Sequence, residues 1–236
     1  MSVLVNQSAP YLEEQQYLVR SFGKARYLAQ RSRSNVLIPE ADGAARKAWE
    51  TAIARFAAEA VDDHESLMLG AGDIVHKILP FLSDRANLAL LLQDIVMAQT
   101  AQRFVHCELL LTGGQLEQGA TALTGPDAEA SVTRRSIDLC ILEASGLDRD
   151  GNLLCADPAV ARVSEAARRT AARTIVVAYQ PQLDEHEGEV FGNVSDIDAL
   201  LLDDGIDPAT MELIPRKGLL LHRRENGILE FRKSTA

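Results

Sequence analysis

Several apolar runs of this chain close on glycines or small polar residues: Gly70-Ala71-Gly72-Asp73 after SLML, Gly113-Gly114 after CELLLT, and Ala144-Ser145-Gly146 after LCILE. Glycines at strand ends let a backbone approach a ligand closely, and the N–H groups that follow them can hold an anion. Loops of this kind point to a small molecule bearing a phosphate. Acids offer a different chemistry. Asp73, Asp94 and Glu143 could converge as the positioned pair that acid–base catalysis needs.

Other reactive side chains give less. His64, His76, His106, His186 and His222 are scattered, without metal-ligand spacing. Asp184-Glu185-His186-Glu187 reads as a solvated loop, and Asp203-Asp204 as the cap of the turn that follows. Ser145 lacks the G-x-S-x-G setting of a nucleophile elbow. The cysteines Cys107, Cys140 and Cys155 form no C-x-x-C pair and read as reduced thiols. Neither a metal nor a cofactor is expected.

To bring these loops together the chain needs strands that run the same way. The pattern supplies them. An amphipathic helix over 44–61 carries Ala48, Ala52, Ile53, Phe56, Ala60 and Val61 near helical spacing, with Trp49 as packing. Short apolar strands then alternate with helices: SLML, the helix DIVHKILPFLS, NLALLLQD, the helix IVMAQTAQRF, HCELLLTGG, a helix near 127–134, IDLCILEASG, a helix over 160–172, TIVVAYQ and SDIDALLLDD. Strand segments at 218–222 and 228–231 flank a final turn at 225–227. Alternation of this kind predicts an α/β fold with a doubly wound, mostly parallel sheet. The strands are apolar throughout, as burial on both faces requires. In such a sheet the strand ends listed first share one edge, which is where ligands bind.

The 236 residues carry a net charge of −10, which opposes non-specific attraction to nucleic acid. A basic run, Arg20, Lys24, Arg26, Arg31 and Arg33, stands apart from this acidity. No apolar run is long enough to span a bilayer, and the amino terminus lacks the pattern of a secretory signal, so a cytoplasmic protein with no membrane partner is expected.

The stretch Gly125, Ala128, Asp138, Ser145, Gly146, Leu147, Asp148 resembles the "G-x-x-A … D-x-A-F-L-G-A-S-G-L-D" element of the DeoR/GlpR family of bacterial regulators of sugar metabolism. Leu111-Thr112-Gly113-Gly114 is similar to its "L-L-G-G", and 197–204 to its "I-D-x-L-I-T-D-D". The resemblance covers most of residues 44–215. It implies a fold like ribose-5-phosphate isomerase and the CoA transferases, an effector site at the strand ends, and a homo-oligomer. The site residues it implies are Gly72, Asp73, Gln93, Gly113, Gly114, Glu143 and Gly146. The effector would be a sugar, polyol or sugar phosphate.

The departures share a direction. Asp73 and Ile74 stand where the family's phosphate loop has two threonines, Gln93 and Asp94 replace Asn and Ser, Glu143 replaces a glycine, and Gln182 replaces a lysine. Hydroxyls and a lysine that would hold a phosphate are lost, and carboxylates that would repel one are gained. The alternatives are a neutral or cationic ligand, a cation-bridged phosphate, or a site that has lost its ligand.

Residues 12–25, LEEQQYLVRSFGKA, resemble the end of the family's winged helix-turn-helix, "L-E-E-x-G-L-L-x-R-x-H-G-G-A", while its "T-I-R-R-D-L" recognition helix is not in the sequence. The organisation expected is a winged-helix remnant over 1–27, a linker over 28–43 and an effector-sensing α/β domain over 44–236. DNA would be a partner only where a complete winged helix is supplied. Alternative functions are an isomerase-like sugar-phosphate enzyme on the same fold and an interaction module acting on a full-length relative.

Overall fold

The computed structural model describes residues 18–21, 24–27, 40–179 and 188–233, with side chains from residue 47 onward. The chain divides into two compact units. The smaller contains an antiparallel hairpin, β1 (Leu18–Ser21) and β2 (Lys24–Tyr27), in which Leu18 pairs with Tyr27 and Ser21 with Lys24. The remaining elements belong to the larger unit.

The larger unit opens with helix α1 (Glu40–Ala58), which starts inside the stretch read as a linker. Its buried stripe is Trp49, Ile53, Ala54, Phe56, Ala57 and Ala58; Ala48, expected on that face, is exposed. Full burial of Ile53 and Phe56 contributes about 2 kcal/mol each.

Strand and helix then alternate: β3 (Ser66–Leu69), α2 (Asp73–His76), β4 (Ala89–Leu92), α3 (Ile95–Phe104) and β5 (Glu108–Leu111). The segment expected as one helix from Asp73 is split. After α2 comes a 3-10 turn at Leu79–Leu82. The reason is Pro80, which has no N–H to donate to the carbonyl of His76. A small hairpin, β6 (Gln115–Leu116) and β7 (Leu123–Thr124), leads to α4 (Pro126–Thr133) and β8 (Leu139–Ala144). Next come β9 (Gly146–Leu147), β10 (Asn152–Cys155), α5 (Pro158–Thr170), β11 (Arg173–Ala178), β12 (Glu189–Asn193) and β13 (Ala199–Asp203). Helix α6 (Pro208–Arg216) and the strands β14 (Leu219–Glu225) and β15 (Ile228–Lys233) follow.

The main sheet has the order β14-β15-β13-β11-β8-β3-β4-β5. From β13 to β5 every neighbouring pair is parallel, while β15 and β14 add an antiparallel edge. This is the expected doubly wound α/β architecture. Successive strand residues feed opposite faces. Leu67, Leu69, Ile141 and Val177 pack with α1, α2 and α3 on one side. Met68, Cys140, Leu142 and Val176 pack with α4, α5 and α6 on the other. A separate antiparallel sheet, β12-β10-β9, stands beside the main one.

Taken in chain order, the six parallel strands lie 3-2-1-4-5-6 from β5 across to β13. The chain therefore reverses its winding direction between β3 and β8. At that point the connections leave on opposite faces, and by the general rule for open α/β sheets this is where a ligand-binding crevice lies, at the carboxyl ends of the two strands. Among the described residues, no helix is long and apolar enough to cross a membrane.

Candidate functional site at the strand-order reversal

The loop after β3, Gly70-Ala71-Gly72, and the end of β8 at Glu143 flank this crevice. Glu143 turns its carboxylate across it. One oxygen, Oε2, accepts hydrogen bonds from the backbone N–H of Ile74 at 2.8 Å and of Val75 at 3.3 Å, at the start of α2. The carboxylate lies directly against Gly72, whose added Cβ would overlap it and come within 2.7 Å of the Glu143 Cβ. Gly72 is thus required for close approach, not for unusual backbone angles.

Loss of surrounding water pushes the Glu143 carboxyl up to about 7. The N–H of Ile74 opposes this shift, the charge of Asp73 reinforces it, and Val75 and Glu50 act in the same two senses more weakly. Glu50 is buried on α1 and is ion-paired with Lys77.

Gln93 is fully buried, and both ends of its amide are engaged. Oε1 accepts from Ala71 N–H at 3.2 Å, and Nε2 donates to the carbonyl of Leu123 at 3.3 Å. It braces the β3 loop against β7. Beside it, Asp94 caps α3: Oδ1 accepts from Val96 N–H at 2.7 Å and Met97 N–H at 2.9 Å, and Oδ2 accepts from the Thr121 hydroxyl. With both oxygens so engaged, Asp94 caps α3. Asp94→Ala should cost about 1–2 kcal/mol, the usual worth of an N-cap, read from the urea midpoint. An unchanged midpoint would contradict this capping role.

Asp73 is exposed at the mouth of the loop. Close to it, His76 bonds Thr100 through Nε2 at 2.7 Å, and burial holds its imidazole below the usual range against the pull of Asp94 and Asp73. Gly113 and Gly114 both have positive φ, 70° and 100°, where a side chain is strained. A Cβ at Gly113 meets open space, whereas one at Gly114 runs into the carbonyl of Thr124 and within 2.9 Å of Ala128 Cβ. Gly146 is the first residue of β9 and pairs with Leu154. The neighbouring Ser145 is bound through N–H and Oγ to the Leu154 carbonyl, at 2.8 and 3.2 Å.

Of the seven residues expected at the site, Gly72 and Glu143 are in direct apposition, Gln93 holds the same loop from behind, and Asp73 flanks it. Gly113 and Gly114 turn the chain at the next strand end, and Gly146 serves the second sheet. The sequence reading missed two things. One was the bond from Glu143 back to the α2 backbone, which only the strand order creates. The other was the ion pair of Glu50 with Lys77 beside it, although an acid within the apolar run of α1 was a visible signal.

Cys140 is buried and pushed up to about 12 by burial, and Cys155 up to about 11. Thiols held so high stay protonated near neutrality. No group of three or more His, Cys, Asp or Glu side chains gathers in metal-binding geometry among the described residues. Asp203 accepts from Gly205 N–H at 2.6 Å, the turn-capping role expected of it. Gln182 and the acidic stretch 184–187 lie outside the described residues, as does most of 1–39.

The model of the DeoR C-terminal sensor domain matches residues 47–204, which contain the six parallel strands and both sides of the crevice. The chain is similar to the transcriptional repressor AccR of Agrobacterium fabrum, 27% identical over 179 residues, covering 74% of this chain and 69% of that protein. It is also similar to the glycerol-3-phosphate regulon repressor of Escherichia coli, 26% identical over 196 residues, covering 81% and 75%. Among solved structures, ribose 5-phosphate isomerase from Plasmodium falciparum aligns with a TM-score of 0.40 at 13% identity, over 79% of each chain. The parallel sheet, its reversal point and the matched span together place the chain in the DeoR family, through that family's C-terminal sensor domain.

Proposed function

We propose that this protein is a regulator of carbohydrate metabolism acting in the cytoplasm, and that the crevice between β3 and β8 receives its small-molecule effector. The observation that carries this reading is the position of Gly72 and Glu143 at the strand-order reversal, where open α/β sheets bind ligands. Two relatives to which the chain is similar are named as repressors. The effector would act by binding one state of a homo-oligomer better than another, since only differential affinity shifts such an equilibrium. Operator binding would fall to a complete winged helix module, in which the β1–β2 hairpin would be the wing.

The test is a thermal-shift titration of the purified chain against sugars, polyols and sugar phosphates, with and without magnesium. A ligand that binds only the folded state raises the melting temperature progressively with its concentration. A saturable rise for one chemical class, lost on replacing Gly72 with valine, is the expected result. A cooperative transition that no compound moves would remove the effector reading.

A further inference from the structure

We propose that Glu143 determines the specificity of this crevice, admitting an unphosphorylated, donor-bearing sugar or polyol and rejecting its phosphate ester. The inference rests on the effector reading above and names the class of ligand that the same site takes.

Three observations carry it. The Glu143 carboxylate already occupies the place a ligand's anionic group would need, because its Oε2 takes the N–H groups of both Ile74 and Val75. There is no slack for a second anion between it and the loop, since the carboxylate lies against Gly72 with no room even for a methyl group. The charges acting on it are of the wrong sign for phosphate: Asp73 and Glu50 add negative potential, and Lys77 is ion-paired with Glu50. A phosphate dianion placed here would meet a carboxylate at short range in a medium poorer than water at screening charge.

The same geometry suits a donor. Glu143 is half-buried, and Oε2 is the oxygen that its two backbone bonds use. An ionised carboxylate can accept about four hydrogen bonds, so two backbone bonds leave capacity for more. A ligand hydroxyl or amino group can donate to it, and such a charge-assisted bond is roughly twice as strong as a neutral one. Hydroxyl and ammonium donors share this chemistry. Free sugars and polyols in one arm and 2-amino sugars in another tell them apart.

The experiment is calorimetric and thermal-shift binding to matched pairs, each sugar or polyol beside its own phosphate ester, at pH 6 and pH 8. The wild-type chain should prefer the unphosphorylated member of a pair by at least tenfold. Its affinity for a hydroxyl donor should rise severalfold from pH 6 to pH 8, as Glu143 ionises with Asp73, Glu50 and Cys155 as its titratable neighbours. Glu143→Gln should bind at least tenfold more weakly at pH 8 and lose the pH dependence. Equal or tighter binding of the phosphate ester by the wild-type chain overturns this inference and leaves the effector reading standing. Binding that is indifferent to both pH and Glu143→Gln also overturns it. A panel in which neither member of any pair binds overturns the effector reading, and the inference with it. The wild-type comparison of matched pairs needs no variant, so it decides even if the substituted chain does not fold.

Discussion

Gly114→Ala should lower the stability of the sensor domain by about 3–4 kcal/mol, a fall of about 10 °C in melting temperature for a domain of this size. Two costs add. A side chain at a φ of 100° is strained by about 1–2 kcal/mol. The new methyl also runs into the Thr124 carbonyl and the Ala128 side chain, and neither is the far end of a flexible chain that could swing away. One belongs to the backbone of β7, the other to the first turn of α4. Forcing atoms into such a place costs about 1–3 kcal/mol more. Gly113→Ala is the internal control. Its φ of 70° carries the backbone strain, but nothing stands within 4 Å of the new carbon. It should cost only about 1 kcal/mol. Paired melts of the two variants separate the terms, and equal losses would show that the packing at Gly114 is not as described.

Glu143→Gln should stabilise the protein at pH 8 and leave it nearly unchanged near pH 5. The Glu143 carboxyl is raised from 4.5 to about 7 in the folded state. Between those values the folded chain holds a proton that the unfolded chain has released, so stability falls as pH rises through the window and levels off above about 7. The full shift would correspond to about 3 kcal/mol, and water reaching the partly open side chain reduces that to about 1–2 kcal/mol. Glutamine fills the same volume, and its carbonyl oxygen can accept from Ile74 and Val75, but it does not ionise. Melting temperatures of the two proteins from pH 5 to pH 8 should therefore diverge as pH rises. Parallel curves would mean that the carboxylate ionises as freely in the folded protein as in the unfolded one.

The parallel core was legible because its information is local. Apolar triads such as Leu67–Leu69 and Leu90–Leu92 alternate with helical stretches, whereas Asp94, read as a strand-end acid, proves to be the N-cap of α3. Helix α6 was missed although it repeats a signal found elsewhere. Asp207-Pro208 caps and starts it as Asp157-Pro158 starts α5, with the aspartate accepting from the second and third N–H groups and proline at the first position. Pro215 near its end hid it. The β9-β10-β12 sheet carries no such signal. Its strands are short, and β10 and β12 are joined by pairing across about 40 residues, which no local pattern encodes. At the site, the arrival of a carboxylate at residue 143 was readable, as was its conflict with phosphate. That it satisfies two backbone donors of α2, and so becomes part of the framework, depends on β8 lying beside β3.

The protein also carries its own optical probe. Trp49, the single tryptophan of the chain, is buried on α1 with its ring 4.7 Å from that of Tyr179, tilted at 55°. Tyr179 directly follows β11, at the edge of the sheet where the parallel strands end. The indole N–H finds no hydrogen-bond partner among the described residues. Excitation of tyrosine at this separation is passed to the tryptophan, and emission from an indole in apolar surroundings lies to the blue. Tryptophan fluorescence therefore reports on one place in the molecule, the seam between the first helix and the end of β11. Any movement of that seam, whether from unfolding or from a molecule entering nearby, will be visible without a dye or a label.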